Sequence, residues 1–250
     1  MSGHSKWANI KRKKGAEDAK RGKLFTKLGR DIMQAAREGG GDENANARLK
    51  IAVQKAKENN MPKDNIERAV LRGTGKLEGI ELEEITYEGY GTDGVAFVID
   101  VLTDNKNRAL GDIKNIFNKR GGSLASAGSV KFQFEQKGEI ILAEGRHDFD
   151  TVFMVAAEAG ADDVIDDDGT LTVYTPREAF GAVEEALRTA GYGIEESEIK
   201  WFPKNETELP VDKALHNMKI QEFLEELDDV QAVASNLALT DALMEAFETA

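Results

Sequence analysis

The hydrophobic period of this chain changes once, near Gly79, and that change restricts the folds open to it. Before it, apolar residues recur at helical spacing. After it, they alternate or run in β-branched stretches. A helical unit followed by segments of mixed strand and helix is therefore predicted.

The first helix is expected over Glu17 to Glu38. On a wheel of about 100° per residue, Leu24, Phe25, Leu28, Ile32, Ala35 and Ala36 share one side. Lys20, Lys23, Lys27, Arg30 and Arg37 share the opposite side, so one face packs and the other presents cations. Gly39 to Gly41 stop the helix. Asp42 or Asn44 is the expected cap of a second helix reaching about Glu58, with Leu49, Ala52, Val53 and Ala56 inward. Pro62 suits the first turn of a third, with Ile66, Ala69 and Val70 inward and Gly73 at its end.

Beyond Gly79, Leu82 to Glu88 and Val95 to Leu102 read as a β-hairpin, and Arg108 to Lys119 as a helix. A Gly/Ala/Ser loop runs to Ser129, and Val130 to Phe134 reads as a third strand. A complete unit follows: strand Glu139 to Leu142, helix Phe149 to Ala159, a hairpin of Asp163 to Ile165 and Leu171 to Tyr174, a helix opened by Pro176, and strand Ile194 to Trp201. That order, β-α-β-β-α-β, is ferredoxin-like. A helix from Val211 to Leu227, a strand from Val230 to Leu237 and a short helix from Asp241 close the chain. Segments 80–134 and 206–250 are each incomplete, and together they supply one sheet with its helices.

The fold class expected is thus α+β: an N-terminal three-helix domain (1–78), then two ferredoxin-like α/β domains. The middle one is discontinuous (79–135 plus 206–250), with the other inserted into it (136–205).

Charge is divided along the same line. Residues 1–76 hold 19 Lys and Arg against 9 Asp and Glu, a balance of +10. The remaining 14 bases and 37 acids leave −23, for a net charge of −13. An end that attracts polyanions is joined to a body that repels them.

Several chemistries find no support. The chain has no cysteine, which removes disulfides, thiolate nucleophiles and thiolate metal sites and suits a reducing compartment. His4, His147 and His216 lie far apart, so no metal site is expected. No apolar run approaches the roughly 20 residues that span a membrane, and no apolar segment follows the basic start as in a secretory signal. A cytoplasmic protein without membrane contact is expected.

Gly89-Tyr90-Gly91-Thr92-Asp93-Gly94 fits G-x-G-x-x-G, but Val95 to Ile99 after it reads as strand, where a dinucleotide site needs a helix. A hairpin turn is expected instead. The acidic stretch Asp162 to Gly169 fails as a calcium loop, because the ligand positions would fall on Val164 and Thr175. Ser123, Ser126 and Ser129 have no G-x-S-x-G context and no nearby histidine base. No cofactor and no catalysis are expected.

The N-terminal stretch points to nucleic acid. Residues 1–30 hold ten Lys and Arg against Glu17 and Asp18. Such cations neutralise phosphates and release counterions, and Trp7 offers a ring on which a base can stack. The candidate contacts are His4, Lys6, Trp7, Lys11, Arg12, Lys13, Lys14, Lys20, Arg21, Lys23, Lys27 and Arg30. The bland alternative stays open: a solvated helix start, with Trp7 packed on the bundle.

Gly3-His4-Ser5-Lys6-Trp7, Lys11 to Lys14, Arg21-Gly22-Lys23 and Phe25-Thr26-Lys27-Leu28 resemble the signature of the YebC/PmpR family. So do Asn60-Met61-Pro62, Tyr87-Glu88-Gly89-Tyr90-Gly91, Thr103-Asp104-Asn105-Lys106-Asn107-Arg108 and Leu227-Asp228-Asp229-Val230-Gln231. The resemblance runs nearly end to end. It implies three domains, the middle one discontinuous, and no catalysis. It also implies a DNA-binding transcriptional regulator or, as in the mitochondrial translational activator of cytochrome oxidase subunit one, a factor acting in translation. Bacterial members linked to ribosomes stalled on proline-rich stretches belong to the second kind. The partners expected are therefore promoter DNA or ribosomal RNA. The loose Gly39–Gly41 connection argues against a helix-turn-helix, and a Lys-rich leader with one aromatic suits irregular RNA.

Overall fold

The computed structural model describes residues 17–249 except 144, 146 and 168. Three helices come first: α1 (Glu17–Gly39), α2 (Ala47–Glu58) and α3 (Lys63–Gly73). Leu28, Ile32, Ala35, Leu49, Val53, Ile66 and Ala69 form their shared core, on the face the wheel assigns. The predicted cap of α2 is corrected. Asn46, and neither Asp42 nor Asn44, caps it: its Oδ1 accepts from the Leu49 N–H at 3.0 Å. The Asn46 amide also donates to the carbonyls of Ala35 and Gly40, both at 2.8 Å, and so joins the end of α1 to the start of α2. A side chain at Gly39 would meet Asn46 within 2.5–2.8 Å, so glycine is needed there for close approach. Asp42 instead shapes the linker by accepting from the Asn44 N–H.

Two four-stranded antiparallel sheets follow. In the first, β1 (Glu83–Tyr90) and β2 (Ala96–Thr103) form the expected hairpin, with Glu83 opposite Thr103 and Tyr90 opposite Ala96. Asp93 and Gly94 have φ of +56° and +80°, so the glycine motif is the hairpin turn. Helix α4 is Lys106–Lys119, β3 is only Ser123–Leu124, and the spatial order is β3-β1-β2-β8, with β8 at Val230–Ser235. Thus one edge of this sheet comes from beyond the whole second sheet. Phe97, Ile99 and Val101 pack against Ile113 and Phe117 of α4, against Met218, Ile220 and Leu224 of α7 (Val211–Glu225), and against Leu243 and Phe247 of α8 (Asp241–Thr249).

The strand predicted at Val130–Phe134 does not form. Lys131–Gln133 is a 3-10 turn, and Phe134 begins β4 (Phe134–Leu142). The backbone N–H groups of Val130 and Lys131 donate to the carboxylate of Glu88, so they are unavailable to a sheet.

The second sheet contains β4, β5 (Asp163–Asp167), β6 (Thr170–Pro176) and β7 (Ile194–Pro203), with α5 (Phe149–Glu158) after β4 and α6 (Phe180–Thr189) after β6. Its order, β5-β6-β4-β7 with antiparallel neighbours, is that of a ferredoxin-like unit. Pro176 ends β6, paired with Lys137, rather than opening α6. The core is Ile140, Leu142, Val152, Leu171, Val173, Phe180, Val183 and Leu187. No helix among the described residues is long and apolar enough to cross a membrane.

The helical unit rests on both sheets. Met33 packs with Leu82 and Leu102, and Ile51 packs against the core of the second sheet. Lys55 pairs with Glu198 of β7, which also accepts from Lys200 at 2.9 Å. Lys200 in turn pairs with Glu139 of β4.

Candidate nucleic-acid interface

His4, Lys6, Trp7, Lys11, Arg12, Lys13 and Lys14 lie outside the described residues. Lys20 belongs to α1, and its side chain is likewise outside the description. Arg21 is exposed and stacks over the Phe25 ring, 5.7 Å from its centroid.

The structure brings Lys23, Lys27 and Arg30 together, though not as a free face. Lys23 Nζ donates to the carbonyl of Glu226 at 3.1 Å, and Lys27 Nζ to that of Glu225 at 2.8 Å. These carbonyls belong to the last turn and cap of α7, where no intrahelical donor reaches them and the helix dipole is negative. Arg30 donates to the carbonyls of Leu102 (3.2 Å) and Asp228 (2.8 Å) and to Asp229 Oδ1 (2.7 Å). The wheel assigns these cations correctly to one side of α1. It does not reveal that this side is itself a packing surface, because the partner is 198 to 203 residues away.

Asp229 is the centre of this contact. It is 6% exposed and accepts from both Arg30 and Arg108; the Arg108 Nε bond is 3.0 Å. Burial would raise its carboxyl, yet the two guanidinium groups hold it below the usual range. Arg108 also reaches Asp104 at 2.6 Å and is placed by Asn105, which caps α4 by accepting from the Arg108 N–H. Three of the quoted sequence motifs therefore converge: the start of α1, the β2–α4 turn and the α7–β8 turn. They frame an open cleft of about 460 Å³. Lys23, Arg30 and Arg108 face Asp104, Asp112, Glu226, Asp228 and Asp229 across it, so carboxylates outnumber cations and the cleft is a poor phosphate site.

Cations without a carboxylate partner among the described residues lie elsewhere on the helical unit. Arg68 and Arg72, one turn apart and exposed on α3, and Lys76 just past it form a second basic edge. Sequence reasoning passed over them because Asp64 and Glu67 dilute the charge of that segment; the i, i+4 spacing of the two arginines was the available signal. Helices α2 and α3 are joined by only four residues, 59–62, with Asn60 at φ +56°. That connection is short enough for a helix-turn-helix, whereas the Gly39–Gly41 connection is not.

Of the histidines, His147 and His216 each contact a backbone carbonyl, of Ala143 and Arg120. Among the described residues no group of three or more acidic or histidine side chains is placed to hold a metal ion.

Residues 5–76 match the family model of the TACO1/YebC protein N-terminal domain, and residues 82–237 match that of the TACO1/YebC second and third domain. A probable transcriptional regulatory protein of Syntrophotalea carbinolica is 51% identical, over 98% of each chain. One from Nitrosospira multiformis is 52% identical, over 93% of this chain and 97% of its own. The crystal structure of a conserved hypothetical protein from Aquifex aeolicus is 40% identical and superposes with a TM-score of 0.83, covering 90% of this chain and 93% of that one.

Proposed function

The chain belongs to the TACO1/YebC family, and on that premise we propose that it is a non-enzymatic, nucleic-acid-binding regulator of gene expression. The observation that carries this is the distribution of cations. Those deep in α1 are taken up by α7 and Asp229, while Arg21, Arg68, Arg72 and Lys76 stay free of carboxylates on the same unit that bears the Lys11–Lys14 leader. Phosphate contacts fall to these and to His4, Lys6 and Lys20, with Trp7 as a stacking ring. Cytoplasmic location fits this role.

Two polyanions compete. The relatives' names and the four-residue turn into α3 favour a promoter duplex read by α3. Against that, Asp64 and Glu67 occupy the first turns of α3, where a groove-reading helix meets bases and phosphates. The basic leader with its single Trp favours ribosomal RNA and a role in translation, including relief of stalls at proline-rich stretches.

Sedimentation with ribosomes, set beside promoter-duplex binding at matched salt, decides between them. The Lys11/Arg12/Lys13/Lys14→Ala variant is expected to weaken binding to the true target broadly and to flatten the salt slope by up to about 3–4. Loss of ribosome association in that variant, with only unspecific duplex binding by the parent, excludes the promoter reading. A sequence-specific footprint without ribosome association excludes the ribosomal one. Absence of both in the parent protein refutes the proposal.

A further inference from the structure

Phe132 is 66% exposed, more than any other large apolar side chain described. It does not lie on a frayed segment. Glu88, 4% exposed on β1, accepts the backbone N–H groups of Gly128 (2.6 Å), Val130 (2.6 Å) and Lys131 (2.8 Å). The Gln133 N–H closes the 3-10 turn onto the Val130 carbonyl, and the Lys204 N–H donates to the Gln133 carbonyl at 2.8 Å. A buried carboxylate and the neighbouring strand thus hold both sides of the turn and leave its aromatic ring in solvent. Burial alone would raise the Glu88 carboxyl, but the three N–H groups and Lys131 hold it below the usual range, so it stays ionised and keeps its grip at neutral pH.

Two cations lie on and beside this turn. Lys204 Nζ donates to the Phe132 carbonyl at 3.0 Å, and Lys131 Nζ sits 4.9 Å from the centroid of Trp201. Both lysines are exposed, and among the described residues neither forms an ion pair with a carboxylate, although Lys131 is near enough to Glu88 and Asp100 to act on their charge. The nearby acids are committed: Glu88 to backbone, Asp100 to Trp201 Nε1 (2.8 Å) and Thr86, and Glu135 to Lys137 (3.2 Å). On a body with an excess of acids, two exposed lysines without an ion pair lie on and beside the turn that carries this one open ring.

We infer that Phe132, Lys131 and Lys204 form a second contact for single-stranded nucleic acid, with a base stacked on Phe132 and its flanking phosphates on the two lysines. A single ring bordered by Lys and Gln lacks the continuous apolar patch that a protein interface centres on. An exposed aromatic with lysines on and beside its turn is an arrangement that takes an unpaired base and its backbone. The inference rests on the nucleic-acid reading above and extends it from the N-terminal unit to the sheets.

The test is fluorescence anisotropy of the full chain with labelled uridine and adenosine oligomers across a salt series. Phe132→Ala and Phe132→Leu are each expected to weaken binding about 5- to 100-fold with the salt slope unchanged, while Phe132→Tyr keeps it. The Lys131→Ala/Lys204→Ala variant is expected to lower the slope by about 1.4, since each single-strand phosphate contributes about 0.7. Unchanged melting temperatures show that the fold is intact. Parental affinity in Phe132→Ala, beside weakened binding by the four-Ala leader variant, overturns this inference and leaves the nucleic-acid reading standing. Full affinity in Phe132→Leu overturns stacking. A Phe132→Ala variant that dissociates a dimer in light scattering overturns the inference in favour of a second copy of the chain. Failure of the parent protein to bind any oligomer, duplex or ribosome removes both readings.

Discussion

The helical unit meets the rest of the molecule at two charged seams, and they are built differently. Where α1 meets α7, cations cap the end of a helix: Lys23 and Lys27 take carbonyls, and one buried carboxylate, Asp229, fixes Arg30 and Arg108. Where α2 meets β7, the pairing is charge on charge, through Lys55, Glu198, Lys200 and Glu139, with Asp31 close enough to feel Lys55. At the first seam the two lysines take backbone carbonyls, and the one buried carboxylate holds two guanidinium groups. At the second, burial sets one acid against another. Burial would raise Glu198, but Lys55 and Lys200 hold it far below the usual range, whereas for Asp31 burial wins and its pKa rises to about 6.

The largest effect is expected at Asp229. Asp229→Ala leaves Arg30 without its carboxylate beneath the α7 corner and is expected to cost about 3–5 kcal/mol in urea unfolding. A loss below 1 kcal/mol would show that the backbone carbonyls alone hold Arg30, and the contrast between the seams would fail.

Asp31 comes next, with the opposite sign. Its folded-state pKa lies above the unfolded value of 3.8, so the folded protein holds this proton to higher pH. Stability therefore falls as pH rises from about 4 to about 6 on this account. Asp31→Asn is expected to raise stability by about 1–3 kcal/mol above pH 6, with the gain fading below pH 4. Melting curves across that range check it; a destabilised variant at pH 7 would mean that Lys55 and Arg48 outweigh burial.

The smallest effect is expected at the lysines of the first seam, Lys23 exposed and Lys27 half-buried. Lys23→Ala and Lys27→Ala each remove a cation from a helix C-terminus and are expected to cost about 0.3–1 kcal/mol, less at high salt. Equal losses in dilute and concentrated salt would mean that packing of the aliphatic stems carries the contact.

The fold, and the side of α1 on which Lys23, Lys27 and Arg30 lie, were legible in part, and for local reasons. The face of α1 that carries Leu28 and Ile32, the hairpin around Asp93–Gly94 and the β-α-β-β-α-β order each follow from spacing along the chain. The misreadings came where distant residues intervene. Val130 to Phe134 has the composition of a strand, but Glu88, over 40 residues earlier, takes the N–H groups a strand would need. Asp42 and Asn44 are good capping residues, but only Asn46 reaches both ends of the linker.

By itself the sequence determined the three-helix start, the change to strands near Gly79, the separation of basic from acidic ends and the family, because periodicity, composition and motifs are properties of the chain read in order. The tertiary structure alone decided which cations are free. Charge can be counted in sequence, but whether a lysine meets solvent or the open carbonyls of a helix two hundred residues away depends on how the chain is folded back upon itself.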